Sequence, residues 1–182
     1  MEQPIQITKT GGRFLVTPIT DTNIFTREDF TEEQHEIQEM VQGFCTEHIA
    51  PVKEELEKKD KDLTFSLLRK IAELGLLGIA VPEEYGGMEL DNITAAIVAE
   101  ASSYSECSSF VVTWSTNLGI GSLPIVWFGT PAQKEKYLPR LIDGTCIGAY
   151  GLTEPSAGSD ALSAKTTAVL SEDGKHYILN GE

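Results

Sequence analysis

Residues 153–160, Thr-Glu-Pro-Ser-Ala-Gly-Ser-Asp, gather two carboxylates, three hydroxyls and several small side chains into one turn-rich run. A phosphate, or the polar edge of a planar ligand, needs backbone amides at close range. Ser156, Ala157 and Gly158 permit that approach. The hydroxyls of Thr153 and Ser159 can add directional hydrogen bonds. Pro155 presets the turn, and Asp160 reads as an acceptor for backbone amides that fixes the loop. Glu154 is the carboxylate placed to tempt assignment as a base. Such a loop is weak evidence by itself, because most Gly/Ser turns serve only as turns. Other reactive side chains are sparse. Cys45, Cys107 and Cys146 are far apart and odd in number, so they form neither a metal-ligand spacing nor a disulfide framework. They read as small buried or half-buried side chains, which fits a reducing cytoplasm. His48 has no second ligand in view and reads as a packed histidine.

The elements that must position this loop follow from capping and periodicity. Thr31 with Gln34 is a capping-box pattern. Ile37, Met40, Val41, Phe44 and His48 then recur at helical spacing as far as Pro51. The charged stretch 53–62 reads as a solvated face or loop. A second helix over 64–74 places Phe65, Leu68, Ile71 and Ala72 on one side, and Gly75 supplies its stop. The apolar run 76–82, followed by Glu-Glu-Tyr-Gly-Gly, marks a tight buried connection. Asp91 caps a third helix bearing Ile93, Ala96, Ile97, Ala101 and Tyr104. A fourth, 110–118, carries Trp114 and is broken by Gly119 and Gly121. Thr130, Pro131 and Gln133 open a fifth that ends near Gly144.

The period then changes. Residues 146–152 read as a strand. Residues 165–170 and 176–179, joined through Glu172-Asp173-Gly174, read as a hairpin. The fold class is therefore mainly α: an extension over 1–30, a helical domain over 31–144, and the start of a β domain over 145–182. Two or three strands leave open edges and half a core, so the chain is expected to be a fragment of a longer protein.

The chain has 182 residues and a net charge of −14. Phosphate contacts to nucleic acid need clustered Lys and Arg, so nucleic-acid binding is not expected. No apolar run approaches the roughly 20 residues of a transmembrane helix, and residues 1–12 lack an apolar signal core.

Residues 150–160, Tyr-Gly-Leu-Thr-Glu-Pro-Ser-Ala-Gly-Ser-Asp, closely resemble a signature of the acyl-CoA dehydrogenases. Two further segments agree in order and spacing. Val-Pro-Glu-Glu-Tyr-Gly-Gly at 81–87 resembles the family's segment after its early helices. Gly-Thr-Pro-Ala-Gln-Lys-Glu-Lys-Tyr-Leu-Pro at 129–139 resembles the segment before its β domain. The closing Tyr-Ile-Leu-Asn-Gly-Glu looks like the strand that runs into the next flavin-binding motif. The resemblance covers residues 31–182, and the stretch before it is similar to a very-long-chain-like bacterial branch.

The resemblance implies a β-barrel-like middle domain, incomplete here, and FAD as cofactor. Tyr150, Gly151, Leu152 and Thr153 would lie along the flavin ring, with Thr153 and neighbouring amides bonding its polar edge. Gly158 and Ser159 would reach the cofactor, Ser159 also meeting the bound thioester chain. The implied reaction is α,β-dehydrogenation of an acyl-CoA thioester in fatty-acid β-oxidation. A base carboxylate takes the α proton, the β hydrogen leaves as hydride to the flavin, and an electron-transfer flavoprotein receives the electrons. Fixed hydrogen bonds to the thioester oxygen stabilise the developing enolate, and the flavin carries the hydride chemistry. In this family the base lies in a later helical domain, so it is expected beyond Glu182. No catalytic residue is assigned within the chain, Glu154 becomes structural, and the chain alone is expected to be inactive. A homo-oligomer, dimer or tetramer, is implied for the intact protein. Two alternatives stand beside this: an acyl-CoA oxidase or flavin monooxygenase of the same fold, and a non-catalytic lipid- or flavin-binding relative whose open sheet edge pairs with a partner.

Overall fold

The computed structural model describes Leu15 and residues 25–182, so most of the extension expected over 1–30 lies outside the described residues. Helix α1 (Glu32–Phe44) starts where Thr31 and Gln34 exchange bonds. The Gln34 N–H donates to Thr31 Oγ1 at 3.2 Å and the Thr31 N–H donates to Gln34 Oε1 at 3.1 Å. Two amides with no partner inside the helix are thereby satisfied. Ile37, Val41 and Phe44 form its buried face, whereas Met40 is 41 % exposed.

A π turn, Cys45–Ile49, continues α1, with the Ala50 N–H donating to Cys45 O. Its wider turn brings Cys45 and Ile49 into the core. His48 stays outside with its ring 5.0 Å from that of Phe44. An expectation built on 3.6 residues per turn places His48 on the apolar side, and the π turn moves it off. Burial pushes the Cys45 thiol up to about 11, so the thiolate that reactivity requires is suppressed.

The charged stretch 53–62 is partly helical. Helix α2 (Lys53–Glu57) buries Leu56, and α3 (Lys61–Glu73) starts earlier than expected because Asp60 is its cap, accepting from the Leu63 N–H at 3.0 Å. Gly75, at φ +76°, takes the left-handed conformation that ends α3. Helix α4 (Asn92–Ala101) is capped by Asp91, which accepts from the Thr94 N–H at 2.8 Å. Tyr104 falls in the 3₁₀ turn Ser102–Ser105 beyond it. Helix α5 (Ser108–Leu118) buries Phe110 and Trp114. The short α6 (Leu123–Phe128) is not foreshadowed by any periodicity. Helix α7 (Pro131–Ile142) opens on the Thr130–Gln133 capping box.

The main core joins α1, α3, α4 and α5 around Val41, Ile49, Leu68, Ile71, Val98 and Trp114. A smaller cluster joins Val81 to Leu138 and Leu141 of α7. A fully buried large apolar side chain contributes about 1.5–3 kcal/mol, so stability resides in the helical part. Strands β1 (Thr167–Leu170) and β2 (Tyr177–Asn180) pair antiparallel, from Thr167 opposite Asn180 to Leu170 opposite Tyr177, and all eight positions are exposed. The strand expected at 146–152 does not form: β1 and β2 are the strands of the described sheet, and without a neighbour an extended segment makes no ladder. The architecture is thus mainly helical with a small two-stranded sheet. No helix among the described residues is long and apolar enough to cross a membrane.

Candidate functional site

The candidate loop is launched from the helical core by specific bonds. After α7 the chain turns at Gly144, whose φ is +73°. The Cys146 N–H then donates to Arg140 O at 2.9 Å. Two residues on, the Gly148 N–H donates to Asn117 Oδ1 at 2.7 Å, while Asn117 Nδ2 donates to Leu141 O at 2.9 Å. Asn117 is 1 % exposed. Beside it Gly121 and Gly148 touch through their backbones: a Cβ on either would stand 2.8 Å from the other's Cα. Ile147 packs against the main core.

Beyond this anchor Tyr150, Gly151, Leu152 and Thr153 run exposed, Tyr150 at 52 % and Leu152 at 45 %. Among the described residues, none of their four backbone N–H groups has a protein acceptor. The same holds for the N–H groups of Gly158 and Ser159, and both residues are exposed. No heavy atom lies within 4 Å of where a Cβ would stand on Gly151 or Gly158. No contact within the described residues therefore requires glycine at these positions.

The turn between the two groups is held from both sides. Glu154 and Ala157 exchange backbone bonds of 3.1 Å, and Ala157 is 1 % exposed. The Glu154 carboxylate accepts from the Lys165 N–H at 2.6 Å and the Thr166 N–H at 3.0 Å, tying the turn to the approach to β1. The Lys165 amide first, then the bonds from Thr166, hold this carboxyl below the ordinary glutamate range. A general base working near neutral pH needs a raised value instead, so the geometry of Glu154 is that of a strut. Asp160 also fixes the loop, but through a different donor than expected: its carboxylate accepts from the Ser163 hydroxyl, and its carbonyl accepts from the Ser163 N–H at 3.1 Å. Asn117 carries little signal in the sequence. Its one signal is an isolated carboxamide at the end of an apolar helix, just before Gly119 and Gly121.

Comparison with known proteins gives a consistent answer. The family model described as "Acyl-CoA dehydrogenase, N-terminal domain" matches residues 31–145. A probable acyl-CoA dehydrogenase of Bacillus subtilis (strain 168) is 48 % identical over 172 residues, 94 % of this chain and 29 % of that protein. The crystal structure of an acyl-CoA dehydrogenase complexed with FAD from Bacillus anthracis superposes with a TM-score of 0.86 at 49 % identity, covering 94 % of this chain and 29 % of that one. A chain from a structure described as the electron transferring flavoprotein of Acidaminococcus fermentans matches with a TM-score of 0.71 at 41 % identity, over 86 % of this chain and 40 % of that one. The chain belongs to the acyl-CoA dehydrogenase family. It spans under a third of the length of the Bacillus relatives.

Proposed function

We propose that this chain is the N-terminal part of a FAD-dependent enzyme that dehydrogenates acyl-CoA thioesters. In this division 31–144 is the helical domain, 145–182 the start of the middle β domain and 1–30 an extension. The observation that carries the proposal is the exposed run 150–153, four consecutive amides that, among the described residues, have no protein acceptor, as is also true of the amides of Gly158 and Ser159.

These residues fit a flavin. A planar ring needs open donors along one edge and no side chain in its way, and the free space beside Gly151 and Gly158 meets that need. Tyr150, Gly151, Leu152 and Thr153 would line the ring, and Gly158 and Ser159 the cofactor's polar end, with Ser159 also serving the thioester substrate. The bound flavin supplies hydride acceptance. The chain's own residues bind and orient: the Thr153 and Ser159 hydroxyls make no bond among the described residues and are available to a ligand. Glu154 holds the turn, and the α-proton base lies outside this chain. Electron-transfer flavoprotein as acceptor, a homo-oligomeric assembly, a role in β-oxidation and a cytoplasmic location complete the proposal. The chain by itself is inactive on this reading.

The full-length protein is expected to purify yellow and to bleach when a saturated acyl-CoA is added. A folded full-length protein that is colourless and cannot be reconstituted with FAD would overturn the proposal. Ser159→Ala should weaken flavin or substrate binding about ten-fold, since a hydrogen bond to a charged group contributes about 1.5–3 kcal/mol.

A further inference from the structure

We propose that Asn117 is a positioning residue for the ligand-binding run 150–153, an inference that rests on the flavin-site reading above. Three observations converge on it. The side chain is 1 % exposed, so each bond it makes is shielded from water. Its carboxamide oxygen accepts from the Gly148 N–H at 2.7 Å, two residues before the exposed run begins. Its carboxamide nitrogen donates to Leu141 O at 2.9 Å, one of the last carbonyls of α7, which have no partner inside the helix.

A carboxamide is the group this location calls for. It presents one acceptor and one donor at a fixed separation on a rigid plane. An aspartate lacks the N–H for Leu141, a leucine lacks both partners, and glutamine is one carbon too long. The Ser122 hydroxyl, donating to Asn117 O, fixes the backbone from which the plane projects. The close contact of Gly121 with Gly148 removes the remaining freedom along the chain. Asn117 thus sets both the direction and the register in which the chain leaves the helical domain. A slip of one residue would put a different amide at each place along the run, and the donors that the flavin requires would be displaced.

The test uses the full-length flavoprotein with Asn117→Leu, the milder Asn117→Asp, and Leu138→Ala as a comparator. Leu138 is fully buried in α7, and its cluster takes in Cys146 but neither Gly148 nor the run, so exchange is compared on the amides of 148–153. Amide exchange of a peptide covering 148–153 and the rate of FAD release are measured on each. Asn117→Leu is expected to speed exchange in that peptide and FAD release at least ten-fold, with kcat falling more than KM rises. Asn117→Asp should show the same pattern in weaker form, which keeps the test valid if the leucine variant fails to fold. Leu138→Ala should lower the melting temperature without either change. Exchange and FAD release matching those of Leu138→Ala would overturn the proposal. Faster exchange with unchanged FAD release would overturn it too, by reducing Asn117 to a structural clamp. A wild-type protein that holds no FAD would instead remove the flavin-site reading, so the two failures are distinguishable.

Discussion

Gly121 and Gly148 lie backbone against backbone, close enough that a methyl group on either would sit 2.8 Å from the other's Cα. The obstacle in each case is main chain, which cannot rotate aside as a side-chain tip can.

Gly148→Ala and Gly121→Ala should therefore each destabilise the protein by about 1–3 kcal/mol, the usual range for forcing atoms into a filled space. The double variant should cost less than the sum, because both methyls open the same contact. Urea denaturation of the four proteins checks this. Additive losses would mean the two sites are independent.

Glu154→Ala should free the hairpin from the turn while leaving the helices intact. Its carboxylate ties residues 154–157 to Lys165 and Thr166, and none of these residues belongs to the main helical core. Limited proteolysis should cut between 153 and 166 faster in the variant, with thermal unfolding of the helical part unchanged. An unaltered cleavage pattern would show that the tie is dispensable.

Asp91 makes the stability of α4 depend on pH at the acid end. The Thr94 N–H, then the Thr94 hydroxyl, hold its carboxyl below the ordinary aspartate range. A carboxyl depressed in the folded state contributes fully above its unfolded value of about 3.9, and the contribution fades as pH falls through the folded value. Asp91→Asn keeps a capping oxygen and does not titrate. The stability difference between wild type and Asp91→Asn should be constant from pH 5 to 7 and change only below about pH 4. A difference that varies between pH 5 and 7 would point to another group.

Lys59→Gly should stabilise the protein. Lys59 has φ +64°, and its N–H donates to Leu56 O at 2.8 Å in the turn after α2. The left-handed conformation costs an ordinary residue about 1–2 kcal/mol. Glycine gives back about 0.5–1 kcal/mol through its freer unfolded chain. A net gain of about 0.5–1 kcal/mol should appear as a higher urea midpoint. No gain would mean that the lysine side chain has contacts worth as much as the strain.

The parts of the fold legible in the sequence were those decided within a few residues. Thr31 with Gln34, Asp91, Thr130 with Gln133 and the Gly75 stop act over one turn, and the Asp173-Gly174 turn sets the hairpin in the same local way. Helix α6 has no sequence signature because Leu-Pro-Ile-Val-Trp-Phe is apolar throughout and shows no period. The start of α3 is hard to place from sequence because Asp60 and Thr64 both suit a cap and only Asp60 is used. The exposed loop could be recognised from its small residues and signature. What holds it could not, because Asn117 reaches Leu141 and Gly148 across 24 and 31 residues, and no local pattern encodes such a pairing.

The π turn at Cys45–Ile49 has a consequence for the length of the chain. Seven-residue steps from Val41 would put His48 and then Glu55 on the inner face, yet Ile49 and Leu56 are the ones buried. The segment before the turn and the segment after it are out of phase by one residue, about 100° of rotation in an ordinary helix. Deleting one residue within 45–49 would let that turn close into ordinary α winding, with the 3₁₀ turn Ala50–Val52 still leading into α2, and would bring Ile49 and Leu56 into seven-residue step with Val41. The same deletion a turn or two earlier would swing half of the inner face of α1 into water. A chain one residue shorter at this point can therefore keep the same buried side chains and differ only in its winding.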